Sequence, residues 1–69
     1  MTVHTIDTTS IERHGWRWRL ASDQPYGWDA VVFWGDHSNE WAFDYGATPQ
    51  EALNNALALA EAAQGVLAR

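Results

Sequence analysis

Trp41-Ala42-Phe43-Asp44-Tyr45-Gly46-Ala47-Thr48-Pro49-Gln50-Glu51-Ala52-Leu53 carries two successive periodicities, and they decide the fold of this chain. From Glu40 to Tyr45 residues alternate, with Trp41, Phe43 and Tyr45 on one side and Ala42 and Asp44 on the other, which is the period of a strand. After Gly46 the pattern changes. Thr48-Pro49-Gln50-Glu51 is a helix start: Thr48 is the N-cap, Pro49 takes the first helical position where its missing N–H costs nothing, and Glu51 reaches back to complete a capping box. From there to Ala63 the chain is rich in Ala, Leu, Glu, Gln and Asn, and Gly65 stands where a left-handed residue would end the helix. At about 100° per residue, Leu53, Ala56, Leu57, Ala60, Ala63 and Leu67 fall on one arc, opposite Glu51, Asn54, Asn55, Ala58, Glu61 and Ala62. The inner arc is mostly Ala, so the helix is expected to sit close to a surface whose own side chains are large.

That surface is expected to be an aromatic sheet. In Trp16-Arg17-Trp18-Arg19-Leu20, alternation puts Trp16, Trp18 and Leu20 on one face and both arginines on the other. Ala30-Val31-Val32-Phe33-Trp34 is apolar on both faces, which places it centrally in a meander, with Gly35-Asp36-His37-Ser38-Asn39 closing the second hairpin. The strand formers Val3, Thr5, Ile6, Thr8 and Thr9 predict a further strand from Thr2 to Thr9, and Arg13-His14-Gly15 predicts a turn. The expected fold class is α+β: one domain over residues 1–69, an antiparallel three- or four-stranded meander with a C-terminal helix on one face, in the order β-β-β-β-α.

Composition bounds the function. A chain of 69 residues without Cys has no disulfide or thiolate metal site, which fits a reducing compartment, and its cohesion falls to five Trp, two Phe and two Tyr. Met1 to Ser10 has neither the basic start nor the apolar run of a signal peptide, and the apolar-rich stretch Ala56 to Ala63 is far short of the ~20 residues that span a bilayer. A cytoplasmic protein without a membrane partner is expected. Nine acids against four Arg and no Lys, a net charge of -5, argue against direct binding to a phosphate backbone and favour a basic protein surface. The acids are scattered and do not form the dense array of a nucleic-acid mimic.

No nucleophile paired with a base, converging carboxylates or Gly-rich phosphate loop is visible, so no catalytic residue, cofactor or enzymatic activity is expected. Asp36, His37 and Glu40 have the atoms of a weak cation site but occupy a hairpin tip, and no metal is assigned. The helix covers one face of the sheet, expected to be the one carrying Trp16, Trp18, Trp41, Phe43 and Tyr45. The other face would show Arg17, Arg19, Ala42 and Asp44, with either Val31 and Phe33 or Val32 and Trp34 between them. Arg17, Arg19, Val32 and Trp34 are therefore the expected partner contacts on the sheet, and Tyr26 and Trp28 those of the loop Ser22 to Trp28. Trp28 has a second reading as a plug for the end of the core.

Over residues 41–56, the strand, Gly46 and the Thr48-Pro49-Gln50-Glu51-Ala52-Leu53 helix start resemble the corresponding passage of HicB-type antitoxins. The resemblance implies a partial double-stranded-RNA-binding-domain fold and a lobe that neutralises a small toxin. In size, acidity and want of catalytic residues the chain also resembles small phage-encoded inhibitors. That likeness implies a stoichiometric blocker of a larger host or cognate protein in the host cytoplasm. A homodimer through the open sheet face is the other expectation.

Overall fold

The computed structural model describes residues 6–22, 27–35 and 40–64. Arg17–Ser22 (β1), Trp28–Trp34 (β2) and Glu40–Gly46 (β3) form an antiparallel sheet with β2 in the centre, as the two-sided apolarity of that strand requires. Thr9–Arg13 (α1) precedes the sheet and Pro49–Ala63 (α2) follows it. Cross-strand partners share a face, so the register assigns both surfaces. Trp18 lies opposite Val32, and Val32 opposite Ala42; Leu20 lies opposite Ala30, and Ala30 opposite Asp44.

Helix α2 covers this face. Ala30, Val32 and Trp34 are buried beneath it with Ala52, Leu53, Ala56 and Ala60, while Trp16, Trp18, Leu20, Trp28 and Leu57 close the margins of the core. The buried arc of α2 is rotated from the expected one: Pro49 and Ala52 lie inside and Ala63 is exposed, and Leu67 and Gly65 lie outside the described residues. The Thr48 Oγ1 accepts the Glu51 N–H at 3.1 Å. The Glu51 Oε1 accepts the N–H of Ala47 at 2.9 Å, so the box closes one residue earlier than the cap itself. Thr48→Ala is expected to cost about 1 kcal/mol, seen as a fall of about 4–8 °C in the thermal midpoint followed by circular dichroism.

The face assignment of β3 corrects the sequence reading. Trp41, Phe43 and Tyr45 lie away from the helix, and Ala42 and Asp44 face it. The physical reason is the short Ala47-Thr48 link, which seats the first turn of α2 directly over the end of β3. Only small side chains fit there. A Cβ built on Gly46 would lie 2.7 Å from the Glu51 carbonyl carbon and 2.9 Å from the Ala52 Cα. Gly46 and Ala52 thus meet small against small, and bulky rings under the helix would hold it off the sheet.

The same parity places Val32 and Trp34, expected on the open sheet, in the core at 0% and 7% exposure. Of the fourth strand expected from Thr2 to Thr9, the described part is not a strand. Ile6 to Thr8 carry no strand pairing and Thr9 opens α1, because the Asp7 carboxylate accepts the Thr9 N–H at 2.9 Å and Glu12 accepts the Thr8 hydroxyl at 2.8 Å, both of which favour a helical turn. The remainder of that predicted strand lies outside the described residues. Ile11 of α1 is buried in the core, and Gln50 of α2 clamps the arm by accepting the Asp7 N–H at 2.6 Å and donating to the Asp7 carbonyl at 3.1 Å. Of the turn expected near Arg13-His14-Gly15, Arg13 ends α1 and His14-Gly15 form the turn after it. The described N-terminal arm therefore packs on the helix side of the sheet.

Candidate functional site

The uncovered face of the sheet is a grid of three rows. Arg17, Phe33 and Trp41 lie side by side across the strands, then Arg19, Val31 and Phe43, then Ala21, Asp29 and Tyr45. Read down the strands, the grid has a column headed by two exposed arginines, an apolar centre that is half-buried between its neighbours, and an aromatic column on β3. Trp41 is 66% exposed, Tyr45 56% and Phe43 37%. The Phe43 and Tyr45 rings meet edge to face, 4.9 Å between centroids and 83° between planes, an arrangement that aromatic pairs favour. A shallow depression of about 270 Å³ opens among Arg19, Val31, Phe33 and Trp41.

Large rings left in water in a domain of this size are costly, and contiguous apolar surface rimmed by charge characterises contact surfaces. The arginines supply the rim on one side and Asp29 on the other end. Among the described residues neither Arg17 nor Arg19 forms an ion pair, so both guanidinium groups remain available to a ligand.

Arg17 and Arg19 stand where the sequence placed them. Val32 and Trp34 do not, and their neighbours Val31 and Phe33 take the open face instead. Trp28 lies on the helix side, partly buried against the core, and Tyr26 lies outside the described residues. The residues that sequence reasoning missed are the aromatic column of β3. The available signal was the match between Ala42 and Gly46 on one side of the strand and the Ala-rich arc of the helix. Of the residues considered for a cation, Asp36 and His37 lie outside the described residues and Glu40 is an exposed residue at the start of β3. No helix among the described residues is long and apolar enough to cross a membrane.

Behind the sheet, a separate stack ties the arm to the core. His14 stacks on Trp16 at 4.1 Å and 21°, Trp16 leans on Trp34 at 5.4 Å, and the His14 Nε2 lies 2.9 Å from the Glu61 carboxylate of α2. Hydrogen bonds from the side chain and backbone of Thr9 hold the Asp7 carboxyl below its usual range. Both features involve the N-terminal arm and none of the residues of the open face.

Comparison with protein-family models, with curated proteins and with solved structures finds no match.

Proposed function

We propose that this protein is a non-catalytic binding module that docks on a larger protein through the open face of its sheet and acts by occupying the partner's surface. The observation that carries this reading is the aromatic column Trp41, Phe43 and Tyr45, exposed beside Arg17 and Arg19. Rigid aromatic and arginine side chains dominate the energetics of protein contacts, and here they lie on regular strands, where little order has to be gained on binding. A stoichiometric inhibitor needs no more chemistry than this, and the antitoxin-like role is the same mechanism with a toxin as the partner.

A homodimer is the second reading, favoured by one feature of the grid. A two-fold axis parallel to β2 would lay the arginine column of each copy over the aromatic column of the other, pairing Arg17 with Trp41 and Arg19 with Phe43 in cation–π contacts. Sizing with light scattering at micromolar concentration separates the readings, because the dimer doubles the mass with no other protein present.

The test is co-purification of tagged protein from its native host. Trp41→Ala and Arg19→Ala are each expected to weaken partner capture by more than about tenfold while the thermal midpoint stays within a few degrees. Leu59→Ser, on the exposed flank of α2, serves as the control and should capture normally. Equal capture by all three variants would contradict the proposal.

A further inference from the structure

The open face alone is small. Three strands spaced ~4.8 Å apart and about six residues long project to roughly 280 Å², and even doubled for side-chain relief this falls short of the ~800 Å² that a stable partner covers. Contact must continue past an edge, and β3, with the most exposed rings, is an edge strand.

Its main chain shows where. The Tyr45 N–H donates to the Asp44 Oδ1 at 2.8 Å, and the Tyr45 carbonyl accepts from the Asn55 Nδ2 of α2 at 2.8 Å. A strand residue directs both groups to the same side, so those of Tyr45 face away from β2 and are capped by side chains. The close approach of Gly27 to the Gly46 carbonyl fits this, since it puts the next residue's groups on the β2 side. With a period of two, the outward groups further along the edge belong to Phe43 and Trp41, and among the described residues nothing caps them. Among the described residues the edge is closed at one end and open at the other, which defines a register and a stop.

We infer that the β3 edge takes up an extended segment of a partner protein, which pairs with the main chain of Trp41 and Phe43 and carries Lys or Arg toward Glu40 and Asp44. This rests on the reading of the sheet as a protein-binding surface and names the shape and charge of what binds. Strand addition supplies affinity through the main chain and specificity through alternate side chains. Apolar residues of the incoming strand extend the aromatic column, and basic ones meet the two acids on the opposite side of β3. A second copy of β3 fits poorly. Antiparallel self-pairing restricted to Trp41 and Phe43 sets Glu40 against Asp44 of the other copy, twice, and like charges directly opposite are destabilising.

The test is amide NMR of the whole protein titrated with a short synthetic peptide alternating Lys and Val. Its arms are the same peptide N-methylated at alternate amides, and a Glu-Val version. The Lys-Val peptide should shift the Trp41 and Phe43 amides and slow their hydrogen exchange by about tenfold or more. The N-methylated and Glu-Val peptides should not, and Glu40→Lys should weaken the first and admit the last. Equal binding of the N-methylated peptide would overturn strand pairing while leaving the open face as the contact surface. No response of either amide at millimolar peptide would overturn the inference, and partner capture by the Trp41 and Arg19 variants judges the broader reading separately. A doubled mass with Trp41 and Phe43 shifts that depend on protein concentration alone would replace the foreign strand by a second copy.

Discussion

Trp34→Ala is expected to remove about 3–5 kcal/mol of folding free energy, against the roughly 3–10 kcal/mol that a chain of this length holds in total. The indole is 7% exposed, ends the buried row Ala30, Val32 and Trp34, and carries the Trp16 ring that in turn carries His14. Truncation leaves a cavity beneath α2 and unseats the stack that fastens the N-terminal arm to Glu61. The expected result in urea titration is a midpoint shifted to low denaturant or no folded baseline at all. Trp34→Phe separates packing from hydrogen bonding. The Trp34 Nε1 is buried with no acceptor among the described residues, so its loss relieves an unsatisfied donor and offsets part of the lost volume. Phe should therefore cost far less than Ala. A stable, cooperatively melting Trp34→Ala protein would place this ring outside the core.

Gly46→Ala is expected to cost about 3 kcal/mol, the upper end of the usual range for overpacking. The added methyl meets the Ala52 nitrogen, the Glu51 carbonyl carbon and the Ala52 Cα, all of them main-chain atoms in the first turn of α2, so no rotamer change relieves the clash. Either the helix start lifts from the sheet or the end of β3 bends away, and both disturb the Thr48 cap. The same corner holds Gly27, whose φ of 118° and approach to the Gly46 carbonyl leave no room for a side chain there either. Ala58→Ser on the exposed side of α2 is the matched control and should stay within about 0.5 kcal/mol of the parent. A Gly46→Ala protein melting within a few degrees of the parent would show that the helix start is not clamped to the strand.

The elements of this fold are legible in the sequence because their signals are local. Alternation in 16–20, two-sided apolarity in 30–34 and the Thr48-Pro49 helix start each lie within a few neighbouring residues. The failures are non-local. Which side of β3 packs depends on the parity of its register with β2, and a shift of one residue exchanges Trp41, Phe43 and Tyr45 for Ala42, Asp44 and Gly46. Hydrophobicity alone favours burying the rings. What decides against it is the space between Gly46 and Ala52, a property of the packed pair and of neither segment separately. The N-terminal arm misled for a related reason: Thr8 and Thr9 have strand propensity, but the Asp7 and Glu12 side chains bind them into a helical turn. For the candidate site, the place of Arg17 and Arg19 on the open face was readable from alternation, whereas Val32 and Trp34 changed places with Val31 and Phe33 once β2 was set against α2.

The measurement that bears most directly on the open face as contact surface is fluorine NMR of protein labelled with fluorotryptophan, one signal for each of the five tryptophans, recorded free and bound to the captured partner. The Trp41 signal should move furthest and lose its solvent isotope shift on binding, while the Trp34 signal stays in place. A Trp41 signal that keeps its free position and solvent sensitivity in a saturated complex would contradict the account.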